Sequence, residues 1–423
     1  AIDVGDGISG ASVNTTTTDL AGNPRFIDGP DTTNAINTAT IDLGAYEQQG
    51  VLYVDDDVVG GDGLSWANAY TDLQDALDAA SNDQEIRIAE GTYLPSLERI
   101  GGDSRSVSFT LDKDLLIFGG YQNGGTDYDP ETYLTILSGD IGTPADNTDN
   151  AYRPVTVDDG DDSTFHNILI DGLTITAGFA DNNDGNDNHF GGGLLSRENL
   201  TLNQVSLTNN SALVGGAGFL SFGTYHITDC TFVSNTSSGF NGGGAIYLAS
   251  NASLTLENSR FTDNQTSESN GDGGAIRATA SATLTASNCL FQDNFAQDNG
   301  GGIFNQAIHP PVFNNCQFIV NSADGGGGIY NELSSPSLTN FSFQGNSASS
   351  RGGGILNSVS SPSLNNCSFK GNSASSSGGG IYNFSSSPSI TNCSFQGNGA
   401  NLGGGIFHNS TSSPSLTNCI LWN

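Results

Sequence analysis

The sequence has no methionine, two tryptophans, five histidines and only eleven lysines and arginines among its 423 residues. Each shortage excludes something. Eleven bases stand against forty-five acids, a formal net charge of −34. The resulting field repels nucleic acid, anionic lipid and polyanionic sugar, so a nucleic-acid partner is not expected. No run of some eighteen apolar residues occurs, which leaves no candidate for a membrane-spanning helix. His166, His189, His226, His309 and His408 fall in unrelated contexts and form no metal-ligand pattern. With no basic-then-apolar leader, the chain is expected to be a mature or trimmed product. Hydrophobic residues make up 35%, too few for large globular cores, but a repeat array needs only a thin continuous core.

What the sequence has in abundance is glycine, 57 residues, together with Ser, Thr, Asn and Asp, and these recur in order. Ile303, Ile329, Ile355, Ile381 and Ile406 each close a G-G-G-I at intervals of about 26 residues. Ile276, Ile246, Phe219 and Leu194 are read as earlier copies. A second element runs in phase with the first. Cys230, Ser259, Cys289, Cys316, Phe341, Cys367, Cys393 and Cys419 share one position, and Phe232, Phe261, Phe291, Phe318, Phe343, Phe369, Phe395 and Leu421 follow two residues later. Three further on stand Asn235, Asn264, Asn294, Asn321, Asn346, Asn372 and Asn398, with Asn210 as a weaker eighth. Two residues apart is one face of a strand.

Short alternating segments with Gly, Asn and Ser corners predict a coil of three strands, each pairing in parallel with its counterpart in the next coil. Serine, glycine and asparagine at this density disfavour helical repeats, and the leucine-rich L-x-x-L-x-L pattern is missing. The expected fold is therefore all-β, a right-handed parallel β-helix. Stacked coils put equivalent side chains about 4.8 Å apart. The cysteines are then a buried column of free thiols rather than disulfides, since Ser259 and Phe341 share their position and in-register strands aim the side chains alongside one another. The phenylalanines form a second column and the asparagines an amide ladder.

The G-G-A-I at 243–246 and 273–276, with Phe232 to Asn235, Phe261 to Asn264 and their successors, resembles the repeats of the polymorphic outer membrane proteins over roughly residues 190–421. That resemblance implies a bacterial, extracellular or cell-surface protein. The family's C-terminal β-barrel is not present in this sequence, so export by the autotransporter route is not expected. Residues 51–84 read as a strand, a Gly-Asp turn and an amphipathic capping helix with Leu73, Ala76, Leu77 and Ala80 on one face. Residues 51–150 are similar to the opening of pectin-lyase-like surface proteins, with the β-helix itself expected over 85–423. Residues 1–50 resemble the closing segment of choice-of-anchor surface proteins, an ending placed ahead of a beginning.

This order suggests a subunit whose leading segment completes the last coil of a neighbour. Ala1, Ile2, Ile41, Leu43 and Tyr46 would meet Cys419, Leu421 and Trp422 in a head-to-tail homopolymer, a surface filament. The alternative is a surface adhesin or a protein that binds or cleaves surface glycans. Catalysis is not expected. Asp263 and Asp293 occupy equivalent positions near Arg260 and Arg277, but later copies replace the acid with Val320, Gly345, Gly371 and Gly397. Calcium is the one cofactor suggested. Asp181, Asp184 and Asp187 surround Gly185 in an oxygen-rich insertion, with weaker acidic runs at 158–162 and 55–57.

Overall fold

The computed structural model describes residues 50–422 apart from Thr126, Asp162, Asp184, Ser250 and Pro310, and leaves the Asn241 side chain undescribed. The chain divides into two units, residues 1–50 and 51–423, and the fold set out here is that of the second. Ala1, Ile2, Ile41, Leu43 and Tyr46 lie outside the described residues.

The second unit is a parallel β-solenoid. Among the described residues its strands form three long sheets of 13, 12 and 11 strands, in which, after the first two strands, sequence neighbours lie in different sheets. Leu52–Val54 begins the first sheet and Ser415–Thr417 ends it; Gly91–Tyr93 and Ile420–Trp422 bound the second, Phe109–Leu111 and Ile406–His408 the third. Every strand pair between these sheets' members is parallel, as the repeat predicts. The strands are short because the corners are fixed by sequence. Between the first two sheets the turn residue has φ near +55° at Asn258, Asn288, Asn315, Asn340, Asn366, Asn392 and Asn418. Asparagine is among the few side chains that enter this region at low cost, which explains its recurrence.

The glycines of G-G-G-I do something different at each place. Gly352 takes φ +68°, whereas Gly353 has no unusual φ and needs its missing side chain for space. A Cβ on Gly353 would lie 2.3 Å from the Ser373 carbonyl oxygen and 2.5 Å from that of Gly379 in the next coil. The third glycine faces the core, and alanine fills its place at Ala245 and Ala275, both fully buried.

Ile246, Ile276, Ile303, Ile329, Ile355, Ile381 and Ile406 stand directly above one another in the third sheet. One assignment is corrected. Gly218, not Phe219, pairs with Leu194 and Ile246, and Phe219 lies between Leu195 and Tyr247. Successive residues of a strand point to opposite faces, so this one-residue shift turns Phe219 outward. There it stacks on Phe190 at 4.2 Å and Tyr247 at 5.4 Å.

The interior is one continuous apolar cluster from Leu52 to Phe395. At its start, helix α1 (Leu73–Ala79) is N-capped by Asp72, whose carboxylate accepts from Gln74 N at 2.8 Å, and buries Leu73, Ala76 and Leu77 in that cluster. Down the middle, Phe232, Phe261, Phe291, Phe318, Phe343, Phe369 and Phe395 stack at centroid distances of 4.5 to 5.2 Å.

Beside them runs the amide ladder. Asn321 Nδ2 donates to Phe291 O at 2.9 Å and to Asn346 Oδ1 at 3.0 Å, while its own Oδ1 accepts from Asn294 N at 3.1 Å and Asn294 Nδ2 at 2.9 Å. The same bonds link Asn210, Asn235, Asn264, Asn294, Asn346, Asn372 and Asn398. A second ladder, which the repeat reading did not single out, joins Asn305, Asn331, Asn357 and Asn383 in the third sheet.

The cysteines are free, and Cys230, Cys289, Cys316, Cys367 and Cys393 are buried while Cys419 is half-buried. Burial raises the Cys230 thiol to about 12. The neighbouring thiol and then burial raise Cys316 and Cys367. These three groups remain thiols at neutral pH.

Candidate functional site

Three places depart from the repeating surface. The first is the turn at residues 406–422. Ile420–Trp422 pairs with Ser394–Gln396, which sets Leu421 on the Phe395 column. The inward position that is sealed in the preceding coils is open here, Leu421 being 50% exposed, and Trp422 beside it, in register with the outward-facing Gln396, is 46% exposed. Phe395, Asn398, Gly405, Leu421 and Trp422 line a recess of about 220 Å³. Asn398 closes the described amide ladder, accepting from Asn372 and donating to Phe369 O at 2.8 Å.

The second is the insertion around residues 181–189. Asp181 pairs with Arg105 at 2.9 Å, and Asp187 Oδ2 with Arg197 Nη2 at 2.6 Å. Asp184 lies outside the described residues. The two described carboxylates thus engage separate guanidiniums, each through one oxygen. Arg197 Nη1 also donates to Asp158 Oδ2 at 2.7 Å, drawing in the acidic run at 158–162.

Next to it Asp158, Asp159 and Glu198 bring one oxygen each within 4.8 Å of one another. His166 binds this group from two sides. Its backbone N–H donates to Glu198 Oε2 at 2.7 Å, and its ring nitrogens stand 3.3 Å from Asp159 and 3.6 Å from Asp114. Burial raises the Glu198 carboxyl. Asp55, in the weaker run at 55–57, is occupied by backbone donors, Asp57 N at 3.0 Å and Gly124 N at 2.8 Å.

The third place is an ion pair set into the outer face of the third sheet, where Phe219, Tyr247, Arg277, Phe304, Tyr330, Leu356, Tyr382 and Phe407 occupy one register position. Arg277 lies 5.1 Å from the Phe304 ring centre and donates from Nη1 to Asp272 Oδ2 at 2.9 Å. Asp272 Oδ1 accepts from Asn299 N and Nδ2, both at 3.2 Å. Burial nevertheless raises the Asp272 carboxyl to about 6. Asp263 and Asp293, meanwhile, are corner residues with φ of +54° and +53°. Arg277 is committed to Asp272, and Asp293 takes a bond from the adjacent Gln292 at 2.9 Å.

The Chlamydia polymorphic membrane protein (Chlamydia_PMP) repeat matches residues 288–306, 340–358 and 366–383. These matches fall on the coils with the Asn294, Asn346 and Asn372 rungs. Among solved structures, a periplasmic alginate epimerase is similar over 84% of each chain at 11% identity and a TM-score of 0.37. The A-module of an Azotobacter vinelandii mannuronan C-5 epimerase is similar over 82% of this chain and 93% of that one, at 13% identity and a TM-score of 0.36. No curated protein matches.

Proposed function

We propose that this chain, a parallel β-solenoid carrying polymorphic membrane protein repeats, is a structural and non-catalytic component of a bacterial cell surface that associates end to end. The turn at 406–422 carries the reading. Its half-exposed Leu421 continues the phenylalanine column, which is buried from Phe232 to Phe395. An unpaired parallel edge is satisfied by another strand in register. In our reading the partner is a second copy, whose leading residues, including Ile41, Leu43 and Tyr46, add the next rung. Such a contact is heterologous and does not close, so it grows a fibre. Twelve rungs of about 4.8 Å make each subunit a rod of roughly 55–60 Å.

The test is sedimentation and negative-stain imaging of the full chain across a concentration series. We expect filaments that lengthen with concentration and are lost on Leu421→Asp with Trp422→Asp, or on deletion of residues 1–50, while far-ultraviolet dichroism is unchanged. A chain that stays single at every concentration and salt condition overturns the assembly.

A further inference from the structure

The cysteine column repeats a geometry as well as a residue. Each thiol donates to the carbonyl oxygen two residues earlier: Cys289 Sγ to Ser287 O at 3.2 Å, Cys316 to Asn314 O at 3.3 Å, Cys367 to Asn365 O at 3.4 Å and Cys393 to Thr391 O at 3.2 Å. The flanking strands are in register, Leu290 with Gln317 and Ser368 with Ser394. One side-chain conformation on in-register rungs places each sulfur directly above the next, at the rung spacing of about 4.8 Å.

The sequence interrupts the column. Ser259 separates Cys230 from Cys289, and Phe341 separates Cys316 from Cys367. Two runs of adjacent thiols remain, Cys289 with Cys316, and Cys367 with Cys393 and then Cys419. Cys289, Cys316, Cys367 and Cys393 are 1–2% exposed and belong to the apolar interior.

A direct bond of about 2.05 Å does not span this spacing between side chains that run alongside one another. An ion does. A metal–thiolate bond is about 2.3 Å, so an ion midway between two sulfurs needs them about 4.6 Å apart. The donor count then selects the metal. Among the described residues, Asp158, Asp159 and Glu198 form the one grouping of three or more His, Cys, Asp or Glu donors, so no third such side chain joins a thiol pair. Zinc takes four ligands, and calcium and magnesium take oxygen. Copper(I) is the soft ion that thiolates select.

We propose that the Cys289/Cys316 and Cys367/Cys393 pairs are each a two-coordinate site for a soft univalent metal ion, copper(I). Loading replaces two S–H protons with one Cu+, which forms an S–Cu–S unit and releases both protons with no change of oxidation state. The adjacent thiol lowers Cys289 and Cys393, so each pair contains one sulfur that ionises more readily than its partner. The unit keeps one negative charge, and a backbone donor already faces it in the second pair, Cys367 N to Cys393 Sγ at 3.4 Å. Both sites lie inside the solenoid, so their failure leaves the assembly reading intact.

The experiment is anaerobic titration of the full-length chain with copper(I), supplied as its acetonitrile complex, with Zn2+ as a parallel arm. Because the sulfurs are buried, metal is added both to the folded chain and during refolding, and retained metal is counted after gel filtration. One copper per pair is expected by at least one route, with an X-ray absorption spectrum showing two sulfur neighbours for each copper. Serine is already tolerated in this column, since Ser259 is 1% exposed and donates to Glu257 O at 2.8 Å. Cys289→Ser should therefore fold and lose the copper of the first pair, and Cys393→Ser that of the second. The double variant should retain none, whereas Cys230→Ser, whose thiol faces Ser259, should retain both. No copper retained by either route, an undiminished count in the double variant, three or more sulfur neighbours, or Zn2+ retained as well as copper would each overturn the assignment.

Discussion

Replacing Asn321 with alanine should open the solenoid locally, and the size of the effect can be worked from its bonds. The wild-type side chain has four partners, all buried. Its removal leaves Asn294 N–H with no acceptor and takes a donor from Phe291 O; Asn294 Nδ2 keeps Phe261 O and Asn346 Oδ1 keeps Asn321 N. A stranded buried backbone group costs about 1–3 kcal/mol and each of the three remaining lost bonds about 1 kcal/mol, so the total is about 4–6 kcal/mol. A repeat array need not unfold in one step, so the readout is amide hydrogen exchange over residues 291–322 rather than a single melting temperature. The control is Asn340→Gly, an exposed corner asparagine at φ +59°, where glycine fits and the change should stay within a few tenths of a kcal/mol. Asn321→Ala exchanging no faster than Asn340→Gly would refute the claim that the buried amides, rather than the apolar columns alone, hold successive coils in register.

Two further outcomes concern the close coil-to-coil approach and the buried ion pair. Gly353→Ala should cost about 2–3 kcal/mol and speed exchange at the facing coil, because its Cβ would meet the Ser373 and Gly379 carbonyls at 2.3 and 2.5 Å; wild-type exchange there would sink the close-approach account. Asp272, raised to about 6 by burial, favours the folded state in its protonated form, so its contribution is complete below about pH 4 and is lost as pH rises through 6. Relative to Asp272→Asn, the wild-type chain should lose about 2–3 kcal/mol between pH 4 and 7 in denaturant titrations, and a flat difference would contradict that.

The fold was legible because a parallel coil converts sequence period directly into vertical neighbours. Once Ile303, Ile329, Ile355, Ile381 and Ile406 were aligned, the strand register followed. Legibility failed where a copy deviates by one residue. At Gly215-Gly216-Ala217-Gly218-Phe219 the bulky residue looks like the core residue, but the third small residue already occupies the inward slot and glycine takes the strand position. The second amide ladder was equally visible, since the asparagine two residues after Ile303, Ile329, Ile355 and Ile381 recurs as regularly as the first. The arginine cluster around Asp158 and Asp187 left no such trace. Arg99, Arg153 and Arg197 come from three separate coils with no common spacing, and only the folded path brings them together.

That contrast has a physical cause. In-register stacking requires each rung to present nearly the same side chain as its neighbours, and a like charge repeated about every 4.8 Å would repel itself along the axis. Strict repetition therefore selects Ser, Thr, Asn and Gly outside and apolar columns inside, as between Ile303 and Gln396. Chemistry that needs several different groups at one point can be built only where the repeat is interrupted. The insertions that bring Arg99, Arg105, Arg153, Asp158, Asp187 and Arg197 together all lie before residue 200, where the spacing is irregular. Lengthening the chain by whole 26-residue coils should thus extend the solenoid by about 4.8 Å per coil, read from small-angle scattering, while leaving the ion pairs before residue 200 unchanged.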